Sequence, residues 1–170
     1  MTVLFVFDEG PGRGLGHRRR CAVIAGALRE RGLECVELPL AGSVDAPIVV
    51  VDSYAVRAAD RRRFRAGRVI ALDDLARDLD VAVVGDPAPG ASTAPHRRAG
   101  RVLAGAGYAL VDPAVRALRD LHGDRPDREP KTVLVATGAA DSTGVGVAMA
   151  SALAGSDLDS MEVRGAAEKL

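Results

Sequence analysis

The chain has 170 residues, 48% of them hydrophobic and 3% aromatic, and its 23 Lys and Arg are matched by 23 Asp and Glu. That length and composition suit one globular α/β domain plus a fraction of another. The zero formal charge gives no overall basic field to attract a phosphate backbone, so a nucleic-acid partner is not expected. There is no apolar run of about 18 residues for a membrane span. The N-terminus opens in a strand pattern instead of a charged segment followed by an apolar leader, so a cytoplasmic protein is expected. Cys21 and Cys35 are too few for a disulfide framework and lack zinc-ligand spacing.

In chain order, Thr2 to Phe7 (TVLFVF) is a β-branched and aromatic run that predicts a first, buried parallel strand. Glycines at 10, 12, 14 and 16 follow, and Arg18 to Arg31 carries apolar residues at helical spacing, with Gly32 as its stop. Strand, glycine turn and helix N-terminus together form an anion-accepting junction. The alternating glycines never make GxGxxG. A phosphate loop of the GxxxxGK[ST] kind also fails, because the only lysines are Lys131 and Lys169. What remains is GxGHxxR, from Gly14, Leu15 and Gly16 to His17 and Arg20. His17 and Arg20, three residues apart, share one helix face.

Further strands are predicted at Leu33 to Leu38, Pro47 to Asp52, Val69 to Leu72 and Val81 to Val84, with helices over Ala55 to Ala66 and Pro113 to Leu121. This alternation implies a Rossmann-like parallel sheet covered on both faces, whose ligands gather at the carboxyl ends of the strands. Asp8, Asp52-Ser53-Tyr54 and Asp73-Asp74 all fall at such ends. Arg20 then has two readings: an ion pair with Asp8 or Asp52, or direct contact with a bound anion such as phosphate. Asp73 and Asp74, adjacent at a strand end, point to different sides and do not suggest a metal site; Asp74 reads as a cap for backbone N–H groups. Tyr108 reads as a packing residue, and Arg61-Arg62-Arg63 as a solvated helix face. His122 to Pro130 (HGDRPDREP) has linker composition. A strand at Lys131 to Ala136, a turn at Thr137 to Asp141 and a helix at Ser142 to Ala154, capped by Ser142 or Thr143, follow it. The domain boundaries are thus 1–121 and 131–170, and Arg164 to Leu170 lacks apolar patterning.

The motif GxGHxxR resembles nucleotide-sugar enzymes of the two-domain GT-B type, most closely the UDP-sugar hydrolase of pseudaminic acid biosynthesis and the related spore coat polysaccharide biosynthesis proteins. VVVDSY (Val49 to Tyr54), VIALDDLARDLDVAVV (Val69 to Val84), AGAGYALVDPAVRAL (Ala104 to Leu118) and VLVATGAADSTGV (Val133 to Val145) each resemble a block of that family, in its order. The chain departs from the pattern at Gly85-Asp86-Pro87, where the family has an asparagine, at Ala139-Ala140, and in a short loop after Leu38.

The resemblance implies an N-terminal GT-B half, 1–121, followed by the first βα unit of the second domain. It implies hydrolysis of a UDP-linked diacetamido-trideoxy sugar without a metal or other cofactor. His17 would activate the water, with Tyr54 beside it in the sugar site, and Gly14, Leu15, Gly16, Arg20, Asp52, Asp74 and Tyr108 would bind substrate. The family's nucleotide site lies largely in the second domain, so the chain is read as a truncated fragment, a natural remnant, or a subunit whose site a second chain or homodimer completes. An inverting glycosyltransferase using His17 on an acceptor hydroxyl, and a non-catalytic nucleotide-sugar-binding subunit, are the alternatives; an apolar patch near the glycine loop would favour the transferase. His17 reads as an exposed side chain whose replacement shifts stability by about 0.5 kcal/mol.

Overall fold

The computed structural model describes residues 1–10, 15–122, 132–137, 144–156 and 160–164. The chain divides into two compact units, Met1–Glu9 with Gly16–Ala117, and Gly10–Leu15 with Leu118–Leu170. The linker segment after His122 and the last six residues lie outside the described residues.

The first unit is α/β and Rossmann-like. Its sheet contains β1 (Thr2–Phe7), β2 (Glu34–Pro39), β3 (Val44–Asp52), β4 (Phe64–Leu72), β5 (Val83–Asp86) and β6 (Arg101–Ala104), in the order β2-β1-β3-β4-β5-β6. Every pairing is parallel: Phe5 stands opposite Val50, Val50 opposite Ile70, and Ile70 opposite Val83. The chain leaves β1 toward one edge of the sheet and returns past it to β3, so the carboxyl ends of β1 and β3 form a topological switch point.

Alternation assigns the two faces. Val3, Phe5 and Phe7 of β1 pack with Val50 of β3 under helix α1 (Gly16–Arg29), which contributes Cys21 and Ala25. The intervening Val6 packs on the opposite face with Val49, Val51, Val69 and Val84. Burial on both faces explains why these strands read as unbroken apolar runs. Gly32, at a φ of +78°, ends the helical segment: its N–H bonds Arg29 O, and Leu33 N–H reaches back to Leu28 O.

Several elements differ from the sequence expectation. Ala55 to Ala66 holds only a 3-10 turn, Ala58–Arg63, because Phe64 already begins β4. Phe64 is buried opposite Val44, and Ala66 packs beside the same core; that burial outweighs the helical propensity of the arginine run. β5 lies two residues later than expected, and β6 was not foreseen from its four residues. The face opposite α1 is covered mainly by irregular connections, with no helix in the β4–β5 and β5–β6 crossovers. Val56 and Leu79 seal it in their place.

Helix α2 spans Pro113–His122. In the second unit, β7 (Thr132–Ala136) and β8 (Ser160–Arg164) pair in parallel, with α3 (Val145–Leu153) between them in the chain. Val135 and Ala150 are its buried apolar residues among those described. The proposed caps Ser142 and Thr143 lie outside the described residues, and β8 is a strand that the sequence did not announce. No described helix is long and apolar enough to cross a membrane.

Candidate functional site

The switch point gathers the polar residues. Asp52 ends β3 with no exposed surface, and a carboxylate there must be paired to stay charged. Helix α1 supplies the partners from one face. Arg20 forks onto Asp52, with Nε donating to Oδ2 at 2.7 Å and Nη2 to Oδ1 at 2.8 Å. His17 Nδ1 lies 2.7 Å from Oδ1. An ionised carboxylate only accepts, so the proton of a neutral His17 sits on Nδ1 and the Nε2 lone pair is left for chemistry. With the proton on Nδ1 neither nitrogen can accept, so the 3.1 Å approach of Arg20 Nη2 to Nδ1 is a contact and not a hydrogen bond.

Asp74, beyond β4, forms the second half of the clamp. Arg20 Nη1 donates to its Oδ2 at 2.8 Å, and the Tyr54 hydroxyl donates to the same oxygen at 3.2 Å. The Tyr54 ring stands edge-on to His17, with centroids 4.5 Å apart and planes at 79°. The Tyr54 backbone is fixed by Asp8, which accepts the Ser53 hydroxyl at 2.6 Å and Tyr54 N–H at 3.0 Å. Arg20 thus pairs with Asp52 and Asp74, while Asp8 holds the loop after β3.

The charge states follow from these contacts. Burial works against the Arg20 charge, but Asp52, then Tyr54 and Asp74, outweigh it and raise its pKa. Burial likewise opposes ionisation of Asp74, yet the Arg20 guanidinium holds that carboxyl below the ordinary carboxylate value. For the Tyr54 phenol, burial and then the Asp74 carboxylate push upward against Arg20, which keeps it a neutral donor. Burial pushes the Cys21 thiol up to about 12, which marks it as an inert core residue.

His17, Arg20, Asp52, Tyr54 and Asp74 therefore converge as the sequence placed them, with three corrections. His17 is buried, 7% exposed, not an exposed loop-end side chain, because Asp52 draws its ring inward. The backbone cap is Asp73, which accepts Leu75 and Arg77 N–H, while Asp74 turns to Arg20 and Tyr54. Tyr108 is half exposed at the rim of a cleft instead of packed. Gly16 opens α1 and a Cβ there would meet no neighbour, Leu15 is exposed, and Gly14 lies outside the described residues. Among the described residues, no group of three or more His, Cys, Asp or Glu could hold a metal ion.

Two features escaped the sequence. One is a buried network on the face opposite α1. Arg77 pairs with Asp73 at 2.6 Å and donates to Ser53 O and Val56 O, so it ties down the loop that carries Tyr54. His96 lies buried between Arg77 O and Asp86. The i,i+4 spacing of Asp73 and Arg77 was a readable signal; nothing local marked His96. The other is an apolar cleft of about 190 Å³ beside Arg20 and Asp74, floored by Ile70, Leu72 and Gly85 and walled by Ile24, Tyr108 and Leu110. Helix α1 packs over β1, β2 and β3, and the cleft opens where that cover stops.

Comparison of the chain with known protein families and with curated proteins finds no match.

Proposed function

We propose that this chain carries the base-bearing, sugar-side part of a nucleotide-sugar enzyme of the GT-B type, a UDP-sugar hydrolase acting in the cytoplasm on nonulosonic acid or surface polysaccharide precursors. The observation that carries the reading is the Asp52-oriented His17 at the switch point, with its Nε2 lone pair uncommitted and Tyr54 against its ring. The motif resemblance supplies the substrate class, a UDP-linked diacetamido-trideoxy sugar.

In this mechanism His17 Nε2 takes a proton from water as the water oxygen bonds to the anomeric carbon. The bond from that carbon to the UDP oxygen breaks, and UDP leaves with the bonding electrons. Asp52 holds the ring in its tautomer and stabilises the imidazolium that forms, as a carboxylate behind a catalytic histidine does. Arg20 pairs with Asp52 and ties it to Asp74. The nucleotide would be held by a second domain, from a longer chain, a partner subunit or a second copy.

The cleft beside Arg20 favours a second reading, an inverting glycosyltransferase in which His17 deprotonates the hydroxyl of a partly apolar acceptor. Single-turnover reaction of a UDP-sugar in the complete assembly separates the two. Free sugar as the sole product supports the hydrolase, a glycoside supports the transferase, and equal chemistry in a folded His17→Ala protein overturns both.

A further inference from the structure

Tyr54 is 40% exposed, so packing alone does not hold its ring against His17. Its hydroxyl contact with Asp74 is 3.2 Å, longer than the usual O–H···O bond of about 2.7–2.8 Å, and the Asp8 bond fixes only its backbone N–H. Arg77 supplies what these leave open. Its main chain is pinned at N–H by Asp73 and at O by His96, and its Nε donates to the fully buried Asp73 carboxylate at 2.6 Å. From that anchor Nη1 donates to Ser53 O at 3.0 Å and to Val56 O at 2.9 Å, carbonyls on either side of the tyrosine. Nη2 is buried with no hydrogen-bond partner among the described residues. The guanidinium carbon lies over the Tyr54 ring, 5.9 Å from its centroid, a distance at which the negative face of the ring attracts a cation. A planar fork that grips the backbone before and after a side chain, and also faces its ring, sets both where the ring starts and how it tilts.

We propose that Arg77 is a positioning residue: it touches no reacting atom, and through Tyr54 it sets the aromatic wall against the His17 ring. Its kinetic consequence rests on the function proposed above; the geometric link to Tyr54 does not. Pairing with Asp73 alone would be a structural role, and a lysine can meet it. An ammonium keeps a cation against the buried carboxylate, but as a point charge it cannot hold Asp73 and both carbonyls in one plane or lay a flat face on the ring. Arg77→Lys therefore separates the two roles.

The His17 ring-proton resonances of the full chain, without nucleotide, report Tyr54, because an aromatic ring displaces the resonances of protons held near it. Tyr54→Leu should shift them, and Arg77→Lys should shift them in the same direction while its thermal melt stays cooperative. In the Tyr54→Leu background, Arg77→Lys should move them no further. In the complete assembly with a UDP-sugar, Arg77→Lys should lower kcat about 10²-fold with KM changed by less than about threefold, the scale of a roughly 1 Å misplacement. That loss should vanish when the Tyr54 ring is already absent. If Arg77→Lys does not fold, the wild type still decides, since nuclear Overhauser contacts between the Arg77 guanidinium and the Tyr54 ring protons are expected there. Unmoved His17 resonances in folded Arg77→Lys, an undiminished effect of Arg77→Lys without the Tyr54 ring, or absence of guanidinium–ring contacts in the wild type overturns the proposal. Resonances that move as expected while kcat is unchanged in both single variants support the link and overturn instead the part given to Tyr54 in the reaction.

Discussion

Asp52 is fully buried and accepts from both His17 and Arg20, so each partner is worth more than a surface contact and neither can be removed without consequence for the other. In His17→Ala, Arg20 still satisfies Asp52 through two bonds, so the protein should fold with a loss of about 1–3 kcal/mol, the usual cost of removing one partner from a buried polar pair. Turnover in the complete assembly should fall by roughly 10²–10⁴-fold. A thermal melt beside a single-turnover assay checks both, and wild-type chemistry in the folded variant would reduce the histidine to a structural role. Asp74 makes a separate prediction about stability. Its carboxyl is held below the ordinary value by Arg20, so the stabilisation is complete above the unfolded carboxylate pKa of about 3.9 and is lost as pH falls through the lower folded value. Acid melts should therefore drop more steeply for the wild type than for Asp74→Asn below about pH 4; parallel curves would mean that the ion pair contributes nothing.

At the scale of elements, the sheet depends on close backbone approaches that only glycine permits. Gly100 precedes β6, and a Cβ there would stand 2.9 Å from Ala82 O, the carbonyl just before β5. Backbone cannot rotate away as a flexible side chain can, so Gly100→Ala should destabilise the protein by about 1–3 kcal/mol through overpacking. Urea unfolding measures this, and an unchanged midpoint would show that the β5–β6 edge yields freely. Gly67 faces Pro47 O at 3.1 Å in the middle of the β3–β4 pair. There the inward-facing set changes parity in both strands, from Val44 and Ala46 to Val49 and Val51, and from Phe64 and Ala66 to Val69 and Ala71. The pairing offset is the same on either side. A strict two-residue period spanning that point is therefore absent from the sequence. This is one physical reason why both strands were read short, starting at Pro47 and Val69 instead of Val44 and Phe64.

For the whole molecule, the proposed division of labour gives the nucleotide to a second domain, so calorimetry of this chain with UDP should show a Kd of about 1 mM or weaker, whereas a value near 1 μM would place nucleotide recognition in the chain itself. The sequence by itself determined the α/β class, the order of the first strands and helix, and the junction at which His17 and Arg20 stand, because these rest on short-range patterns: buried apolar runs, helical spacing and a glycine stop. It also named Asp52, Tyr54 and Asp74, since in a parallel sheet any polar residue just past a strand's carboxyl end reaches the same edge. What it could not state was how they pair. That Asp52 draws His17 into the interior, that Asp73 caps backbone while its neighbour Asp74 holds Arg20, and that Arg77 and His96 brace the Tyr54 loop are contacts between residues as far as 54 positions apart in the chain. The cleft was equally hidden, because a cavity is set by where α1 stops covering the sheet and by the missing side chain at Gly85. Local patterns record which faces are apolar; only packing in three dimensions decides which of those faces stays open.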